Sequence, residues 1–454
     1  MDLASIIKTQ RDFYNKNITK DLAFRKNALE KLLESIYENE PAIYDALKAD
    51  IGKPKMEAYI TEVGQVTGAI RYAIKHLEKW MKPVKARTPL FLFPGRSQVI
   101  REPYGVVLIM APWNYPFHLA IMPLIGAIAG GNCAIVKTSK TSPNTSAVVV
   151  DIINSTFDKN HVYAIEEVMP YDDILRQNYD YMFFTGSERV GKTVMRAAAD
   201  TLTPVTLELG GKNPCIVDQT ADIDVAAHKI MWGKVLNAGQ TCLAPDYVLV
   251  HESVKQPFID AVRKYAKELV GDPFDNEDYP HIINLQHYMR IKNLIDSEAV
   301  VIGGRCDDKR LLIEPTILPE ATYESFVMKS EIFGPVLPII TYDDPEEMVA
   351  LLKHRPKPLA CYIFSDNDGF INHVTENVPF GGGCVNDVIM HVANEALPFG
   401  GVGASGMGSY HGRASFETFT RQKSIYSVSS SSDSPYRYPP YTEKGLEAAQ
   451  RFLK

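Results

Sequence analysis

Two short segments of this chain carry side chains that could form a thioester and then hydrolyse it. The first is LELGGK at Leu207–Lys212, in which glycines follow Glu208 and indicate a turn. The second is GQTC at Gly239–Cys242, whose cysteine comes 34 residues after that glutamate. A thiolate attacks a carbonyl carbon readily, and a nearby carboxylate can activate the water that releases the acid. This pair of segments therefore predicts acyl chemistry at Cys242.

A third segment could stabilise the negative charge that develops on a carbonyl oxygen. APWNYP at Ala111–Pro116 follows the apolar run Val106–Met110, and its prolines restrict the backbone. A side-chain amide fixed in such a loop, here Asn114, can donate to an oxyanion. The alternative is an asparagine that only satisfies the backbone of a turn, which is common.

Two strand ends have features that suit a nucleotide. In FTGSERVGK at Phe184–Lys192 an apolar run ends at Gly186, and a helix is predicted to begin after Ser187. The free N–H groups and the dipole of such a helix favour a pyrophosphate. Gly191 follows Gly186 by five residues, which is not the GxGxxG spacing, so an ordinary turn between a strand and a helix is the alternative.

The second of these strand ends is VKTSK at Val136–Lys140, which presents two lysines. Lys137 and Lys140 would lie where strand ends meet, the place at which open α/β sheets bind nucleotides. Solvated loop lysines are the alternative. EIFGP at Glu331–Pro335 is another loop fixed by glycine and proline, and it carries the aromatic residue Phe333.

The composition fits a soluble globular protein of two or three domains. The chain has 454 residues, 45% hydrophobic and 23% charged, with a net charge of −7 from 48 basic and 55 acidic residues. A net negative charge does not indicate the basic surface that nucleic-acid binding needs. The start of the chain has no signal-peptide pattern, and Pro123 interrupts the longest apolar stretch, Leu119–Val136, so a cytoplasmic protein without a membrane anchor is predicted.

The cysteines are scattered and none has metal-ligand spacing, so no metal site is predicted. Apart from Cys242, they are interpreted as small buried hydrophobic residues in a reducing compartment. The other five are Cys133, Cys215, Cys306, Cys361 and Cys384.

Short apolar runs that alternate with amphipathic stretches predict βαβ units and parallel sheets. The first eighty or so residues have helical spacing, and a Pro/Gly-rich excursion around Thr88–Ile100 follows them. After Arg421 a Ser-rich and then Pro/Tyr-rich arm is predicted to end in a short helix. The predicted strands are Val106–Met110, Ala134–Val136, Tyr181–Phe184, Ile216–Val217, Tyr247–Val250, Val336–Ile340 and Ala360–Phe364.

Together these segments closely resemble the aldehyde dehydrogenase superfamily over nearly the whole chain. The residues after Cys242, the SYHG sequence at Ser409–Gly412 and the Tyr438–Tyr441 tail resemble its class 3 branch in particular. The ordered matches are PWNYP at Pro112–Pro116, FTGS at Phe184–Ser187, LELGGK at Leu207–Lys212, GQTC at Gly239–Cys242, EIFGPV at Glu331–Val336 and PFGGVGASGMGSYHG at Pro398–Gly412.

The resemblance implies an α/β fold with a Rossmann-like cofactor-binding domain, an α/β catalytic domain and a small bridging sheet for oligomerisation. The cofactor domain would comprise residues 1–82 and 102–209, and the catalytic domain residues 210–409. Residues 83–101 and 410–454 would form the bridging segments and the tail. Class 3 members are typically homodimers, so a homodimer is expected.

The resemblance also assigns roles to single residues. Cys242 would be the nucleophile, Asn114 an oxyanion donor and Glu208 the base that activates water. Glu331 would bind the nicotinamide ribose of NAD or NADP, Phe333 would lie against the cofactor, Ser187 would touch the pyrophosphate, and Lys137 would reach the adenosine ribose. The complete cofactor set is Trp113, Lys137, Lys140, Gly186, Ser187, Gly191, Glu331 and Phe333.

Two departures from the family pattern bear on function. The family usually has a glutamate where this chain has Lys140, and an ammonium would attract the 2′-phosphate of NADP that a carboxylate repels. Use of NADP is therefore predicted, although the loop also reads Lys-Thr-Ser where Lys-Pro-Ser is usual. Class 3 relatives often carry a second cysteine shortly before the nucleophile, where this chain has Ala238, so no easy disulfide with Cys242 is expected.

Two other functions remain open. A CoA-acylating aldehyde dehydrogenase would not need a base for water, and the intact Glu208 favours hydrolysis instead. A protein that has lost catalytic activity and serves only as a nucleotide-binding or structural protein could lose its nucleophile, base or oxyanion donor. All three are present in this chain. For the substrate, Tyr115, Met231 and Trp232 suggest an apolar entrance, so medium- to long-chain aliphatic or aromatic aldehydes are predicted. The alternative is that the Trp and Met side chains belong to the core, as such residues more often do.

Overall fold

All seven predicted strands form in the computed structural model, which describes residues 2–166 and 169–453. They are apolar because most of them are covered on both faces, as parallel strands usually are. The strands are β1 Val84–Ala86, β2 Arg96–Pro103, β3 Val106–Met110, β4 Cys133–Lys137, β5 Val162–Ala164, β6 Tyr181–Thr185, β7 Val205–Glu208, β8 Pro214–Val217, β9 Tyr247–His251, β10 Cys306–Asp307, β11 Leu312–Ile313, β12 Thr316–Leu318, β13 Val336–Tyr342, β14 Ala360–Phe364, β15 Gly382–Val385, β16 Gly406–Met407 and β17 Thr420–Ser427.

Helices surround and connect these strands. A π-helical turn, Tyr59–Val63, joins α4 to α5. The helices are α1 Leu3–Asn15, α2 Leu22–Glu38, α3 Glu40–Ile51, α4 Lys55–Ala58, α5 Gly64–Met81, α6 His118–Gly130, α7 Pro143–Thr156, α8 Tyr171–Leu175, α9 Glu188–Ala199, α10 Ile223–Val235, α11 Lys255–Val270, α12 Leu285–Asp296, α13 Pro345–His354, α14 Asp368–Asn377, α15 Gly412–Thr418 and α16 Glu443–Phe452.

The first six-stranded sheet has the doubly wound order of a dinucleotide-binding fold. Its strands lie in the order β16-β7-β6-β3-β4-β5, and all of them are parallel except β16, which pairs antiparallel with β7. The chain reverses direction across the sheet between β3 and β6, and ligands bind outside the carboxyl ends of strands at such a switch point. A Rossmann-like sheet is therefore confirmed.

The second and third sheets complete the α/β architecture that the sequence predicts. The second sheet is parallel, in the order β12-β13-β9-β8-β14-β15. The third is antiparallel, in the order β1-β2-β17, so the excursion near residue 90 pairs with the strand before the tail.

The apolar stretch Leu119–Val136 forms most of the buried helix α6 and then the buried strand β4. Pro123 lies inside α6 and does not end it, and every residue of that helix is buried. Among the residues that the structure describes, no helix is both long and apolar enough to cross a membrane. Cys306 and Cys384 are half-buried, so only Cys133, Cys215 and Cys361 fit the interpretation of fully buried cysteines.

Candidate active site

The predicted catalytic side chains meet between the first and second sheets. Asn114 follows β3, Ser187 follows β6 and Glu208 ends β7, so all three lie at the carboxyl edge of the first sheet around its switch point. Cys242 comes from the second sheet, in the loop that leads into β9.

Two cavities share this junction. The first, called the apolar cavity, has a volume of about 420 Å³ and is lined largely by hydrophobic side chains. The second, called the adjacent cavity, has a volume of about 340 Å³ and contains Asn114, Ser187 and Glu331. Cys242 and Glu208 line both cavities, so a molecule in either one reaches the same thiol and carboxylate.

A strained loop holds Cys242. Asn237 and Ala238 both have left-handed backbone conformations, with φ of 52° and 50°. Gly239 follows with φ of 72°, and a Cβ there would lie 2.3 Å from the Gly334 carbonyl oxygen, so only glycine fits. Burial, and then Glu331 and Glu208, raise the pKa of the half-buried Cys242 thiol to about 12.

A buried asparagine that the sequence analysis missed fixes the backbone at the nucleophile. Asn213 Nδ2 donates to the carbonyl oxygens of Cys242 at 2.7 Å and Ala244 at 3.0 Å. Its Oδ1 accepts from Ala360 N at 2.9 Å, which ties the loop to β14. Nothing in the spacing around Asn213 distinguishes it from a turn asparagine.

Asn114 lies against the same loop. Its side chain is buried, and Nδ2 donates to the Gln240 carbonyl oxygen at 3.2 Å. The Asn114 carbonyl oxygen accepts from Asn237 Nδ2 at 2.9 Å. Because an amide nitrogen carries two hydrogens, one donor remains for an oxyanion in the cavity.

Glu208 occupies a strand end and not the predicted turn. It is the last residue of β7, opposite Thr185 of β6 on one side and Gly406 of β16 on the other. The side chain is 2% exposed, and neither carboxylate oxygen has a hydrogen-bond partner among the described residues. Burial raises its pKa well above the ordinary value, so the group is a strong base once ionised.

The loop before β13 presents Glu331 and Phe333 to the adjacent cavity. The Glu331 carboxylate lies over Gly210, and its Oε1 has no hydrogen-bond partner among the residues described. Burial and then Asp246 raise its pKa to about 8. Phe333 adopts a φ of 51°, and its ring meets that of Trp113 edge to face at 5.4 Å. A carboxylate oxygen without a partner among the described residues, beside an aromatic wall, fits the hydroxyls of a ribose.

An ion pair behind this loop supports Glu331. Lys212, the last residue of LELGGK, pairs with Asp246 and donates to the Ser330 carbonyl oxygen at 3.0 Å. Asp246 in turn accepts from Ile332 N at 2.8 Å. Both neighbours of Glu331 in the chain are thus fixed.

The helix predicted after Ser187 forms as α9. Ser187 is its N-cap and accepts from Val190 N, and Gly186 and Ser187 line the adjacent cavity. Gly191 lies one turn inside the helix and does not line that cavity. A Cβ at Gly191 would lie 2.8 Å from Leu209 Cδ2, so its place is in the packing of α9 on the chain after β7.

The two predicted lysines line a separate cavity of about 820 Å³, called the lysine cavity. Lys137 Nζ donates to the Thr138 carbonyl oxygen at 2.8 Å and lies 4.6 Å from the centre of the Tyr171 ring. Burial, and then the exposed Lys140, lower the pKa of Lys137 to about 8. An anion would relieve this repulsion between ammonium groups. Two carboxylates, Asp151 and Glu166, also line this cavity.

The apolar cavity is lined by two of the three residues that were predicted to form an apolar entrance. Tyr115 and Trp232 line it, but Met231 is fully buried in the core, so its assignment to the entrance was wrong. Adjacent positions of α10 point in different directions, and only one of these two faces the cavity. The other large apolar side chains that line it are Ile60, Leu119, Leu209, Leu236, Leu243, Leu359, Ile389, Met390, Val392, Phe399 and Tyr410.

Comparison with known proteins gives one consistent result. Residues 2–425 match the model of the aldehyde dehydrogenase family. The chain is 49% identical to the 4,4'-diaponeurosporen-aldehyde dehydrogenase of Staphylococcus aureus, over 95% of each chain. It is 41% identical to aldehyde dehydrogenase family 3 member A2 of Rattus norvegicus, over 98% of this chain and 93% of the relative. A solved structure described as the substrate-bound state of Staphylococcus aureus AldH superposes with a TM-score of 0.97, at 47% identity and with full coverage of both chains.

Proposed function

The chain belongs to the aldehyde dehydrogenase family, and we propose that it oxidises medium- to long-chain aliphatic or aromatic aldehydes to carboxylic acids at Cys242. Its NAD(P) dependence is a property of the family. The observation that carries the proposal is that Cys242 and Glu208 line both the apolar cavity and the adjacent cavity. An aldehyde in one cavity and a nucleotide in the other would then meet at a single thiol.

In the first step, the Cys242 thiol gives its proton to water, and its sulfur attacks the aldehyde carbon to give the oxyanion of a thiohemiacetal. The free N–H of the Asn114 amide and the Cys242 backbone N–H stabilise the oxygen that becomes negative. The left-handed residues Asn237 and Ala238 and the Asn213 hydrogen bonds hold the sulfur in place. Preorganised geometry of this kind lowers the barrier because little needs to move during the reaction.

The adjacent cavity and the lysine cavity suit the cofactor. Bound NAD or NADP supplies the hydride acceptor that turns the thiohemiacetal into a thioester. Glu331 would accept hydrogen bonds from a ribose, Trp113 and Phe333 would form an aromatic wall, and Gly186 and Ser187 would approach the phosphates at the start of α9. Lys137 and Lys140 would reach the adenosine end, with Lys140 favouring NADP.

Glu208 completes the cycle by taking a proton from the water that attacks the thioester. Its carboxylate has no competing hydrogen bond among the residues described, so a water in either cavity can approach it. The products are the carboxylic acid and the free thiol. The presence of this base is what favours hydrolysis over transfer of the acyl group to CoA.

The walls of the apolar cavity support the substrate class. They are hydrophobic over most of their length, and Trp232, Phe399 and Tyr410 add aromatic surface. Burial of a CH₂ group contributes roughly 0.8 kcal/mol, so each further carbon of an alkyl chain strengthens binding until the cavity is filled. A charged aldehyde such as succinate semialdehyde would lose hydration without gaining an ion pair.

We also propose that the protein is a cytoplasmic homodimer. The third sheet and the excursion beside it expose Leu90, Phe93 and Tyr426, which are 77%, 76% and 44% exposed. The edge strands β1 and β17 leave backbone groups that a second copy could cover. The domain boundaries at residues 82/83, 101/102, 209/210 and 409/410 belong to the same proposal. Light scattering would test the dimer, and a purely monomeric species would contradict it.

The deciding experiment follows absorbance at 340 nm with hexanal, benzaldehyde and succinate semialdehyde, each with NAD and with NADP. We expect turnover of the first two that disappears in Cys242→Ala. Faster turnover of succinate semialdehyde would contradict the substrate class. Turnover that appears only after addition of CoA would instead identify an acyl-transferring enzyme.

A further inference from the structure

A short N-terminal segment holds together the two loops that carry the proposed nucleophile and oxyanion donor. The brace segment, residues 53–63, comprises Lys53, Pro54, α4 and the π-helical turn Tyr59–Val63. Lys53 and Glu62 form an ion pair, and both side chains are 0% exposed. The family motifs and their spacing gave no signal for either residue, since single charges in a helical stretch usually face solvent.

Glu62 fixes the far end of the Asn114 loop. In addition to the Lys53 ammonium, its carboxylate accepts from Phe117 N at 2.9 Å and from His118 N at 3.1 Å. These N–H groups begin α6 and have no partner inside that helix. Glu62 therefore caps α6 from another element and sets where the loop ends.

Lys53 contacts the middle of the same loop. Its Nζ donates to the Asn114 carbonyl oxygen at 3.4 Å and lies 4.1 Å from the centre of the Tyr115 ring. The Tyr115 hydroxyl shares a hydrogen bond of 2.6 Å with Thr241 Oγ1, and Thr241 directly precedes Cys242. The Lys53 ammonium thus contacts the Asn114 loop directly and is linked to the Cys242 loop through Tyr115.

A third side chain of the brace segment reaches the nucleophile loop directly. Glu57 Oε1 accepts a hydrogen bond from Asn237 N at 2.9 Å, and Asn237 Nδ2 donates to the Asn114 carbonyl oxygen. The left-handed conformation of Asn237 costs free energy and persists only where its surroundings impose it. The brace segment supplies part of that constraint.

Stability alone does not explain the buried ion pair. Removing two charges from water costs about as much as their attraction returns, and replacement by neutral groups of similar volume is often neutral or stabilising. What a neutral pair lacks is a strong donor aimed at the Asn114 carbonyl oxygen. A misplacement of about 1 Å in a catalytic group can slow a reaction about 100-fold.

We propose that Lys53 and Glu62 are positioning residues, which hold the backbone of Asn114 so that its amide faces the carbonyl oxygen on Cys242. This inference rests on the oxyanion role proposed above for Asn114. The pair touches neither substrate nor cofactor, because neither residue lines the apolar cavity or the adjacent cavity.

The test is a cycle of variants that combines Lys53→Met/Glu62→Gln with Asn114→Ala. With cofactor saturating, we expect kcat/KM for hexanal to fall 10- to 100-fold in Lys53→Met/Glu62→Gln. In the Asn114→Ala background the same double change is expected to cause less than a threefold further loss, because residues that act through one group are not additive. The dissociation constant of NAD(P) should change less than twofold.

Each other result has a distinct meaning. An equal loss in both backgrounds, or no loss in either, overturns the positioning role. If Asn114→Ala is as fast as the wild type, the oxyanion role itself is wrong. Should the double variant not fold, Glu62→Gln alone keeps Lys53 as a donor; a threefold loss that vanishes in Asn114→Ala supports the proposal, and an additive loss overturns it.

Arg25 offers a matched control for the loss of a buried cation. It is 4% exposed and donates to the carbonyl oxygens of Thr19 at 2.8 Å and Ala129 at 2.9 Å, so these hydrogen bonds reach neither loop. Arg25→Met is expected to lower the melting temperature while kcat/KM of the folded enzyme stays within twofold. A fall in kcat/KM as large as that of Lys53→Met/Glu62→Gln would show that kcat/KM reports only general stability, and would overturn the proposal.

Discussion

The Glu331 carboxylate occupies the space that a side chain at Gly210 would fill. A Cβ built at Gly210 would lie 2.1 Å from Glu331 Oε2 and 2.5 Å from Oε1. The second glycine of the GGK sequence, Gly211, has instead the backbone of Pro358 and Leu359 beside it. Gly210 therefore determines where the proposed ribose ligand can lie.

Gly210→Ala should weaken cofactor binding by at least tenfold. The new methyl group displaces the Glu331 carboxylate, and a hydrogen bond to a charged group contributes about 1.5–3 kcal/mol. Titration of tryptophan fluorescence measures the dissociation constant, since Trp113 lines the adjacent cavity. The control is Gly68→Ala in α5, where a Cβ meets nothing within 4 Å and binding should not change. Unchanged binding in Gly210→Ala would contradict the role of Gly210 in placing the Glu331 carboxylate.

Glu331→Gln should make Cys242 more reactive in the absence of cofactor. The Glu331 carboxylate is, after burial, the largest contributor to the raised pKa of the thiol, so its neutralisation lowers that pKa. At a given pH below the pKa, lowering the pKa of a thiol increases the fraction that is present as thiolate. The rate of alkylation by iodoacetamide should rise severalfold above about pH 8, where wild-type Glu331 is ionised. The exposed Glu324→Gln is the control, and an unshifted pH profile would contradict this account of the electrostatics.

Lys140→Glu should reverse the preference between the two cofactors. Replacing an ammonium with a carboxylate in the lysine cavity repels a 2′-phosphate and offers an acceptor to a 2′-hydroxyl. We expect kcat/KM with NADP to fall at least tenfold while that with NAD rises. Lys159→Glu, an exposed position beyond the other end of α7, makes the same change in net charge. Equal effects in the two variants would show that only overall charge matters.

Asp50→Ala should destabilise the wall of the lysine cavity. The buried Asp50 carboxylate accepts four hydrogen bonds, from the backbone and side chain of Asn144 and of Thr145, at the start of α7. Loss of this cap should lower the free energy of unfolding by about 2–4 kcal/mol and weaken cofactor binding, because Pro143 and Ser146 line that cavity. Urea denaturation measures the first effect; a loss below about 1 kcal/mol would contradict it.

Local patterns were sufficient to predict much of this fold. The buried strands are short apolar runs such as Val106–Met110, and the polar residues that follow them lie at the carboxyl edge because parallel strands all end there. Asn114 could be chosen for the same reason, whereas Glu208 and Cys242 could be chosen from their chemistry and from the glycine-containing segments that carry them. Their chemistry is visible in the sequence as residue types beside glycine and proline.

The supporting contacts could not be predicted because they join distant parts of the chain. Glu208 is at a strand end, and not in a turn, because Gly406 pairs with it from nearly 200 residues away. The links from Glu62 to Phe117 and from Asn213 to Ala360 are of the same kind. Single charged or amide residues have no periodicity that shows what they will contact.

Glu208→Gln should separate formation of the thioester from its hydrolysis. The change keeps the shape of the side chain and removes the base, so the first turnover remains and later turnovers stop. Mixing enzyme with aldehyde and cofactor should give a burst of absorbance at 340 nm equal to the enzyme concentration, followed by a steady rate about 100- to 10,000-fold below that of the wild type. A wild-type steady rate would show that another group activates water.

Glu208→Gln should lower activity but increase the stability of the fold. Burial raises the pKa of Glu208 in the folded state, so at pH values above the pKa of the unfolded chain ionisation of this carboxylate favours unfolding. Glu208→Gln removes that cost and should raise the melting temperature at neutral pH, with a smaller difference at acidic pH where the wild-type carboxyl is protonated. The rate of thioester hydrolysis by the wild type should rise with pH as Glu208 loses its proton, and hydrolysis by the variant should lack that rise. A variant that is both slower and more stable is the pattern expected when a buried base serves the reaction at the expense of the fold.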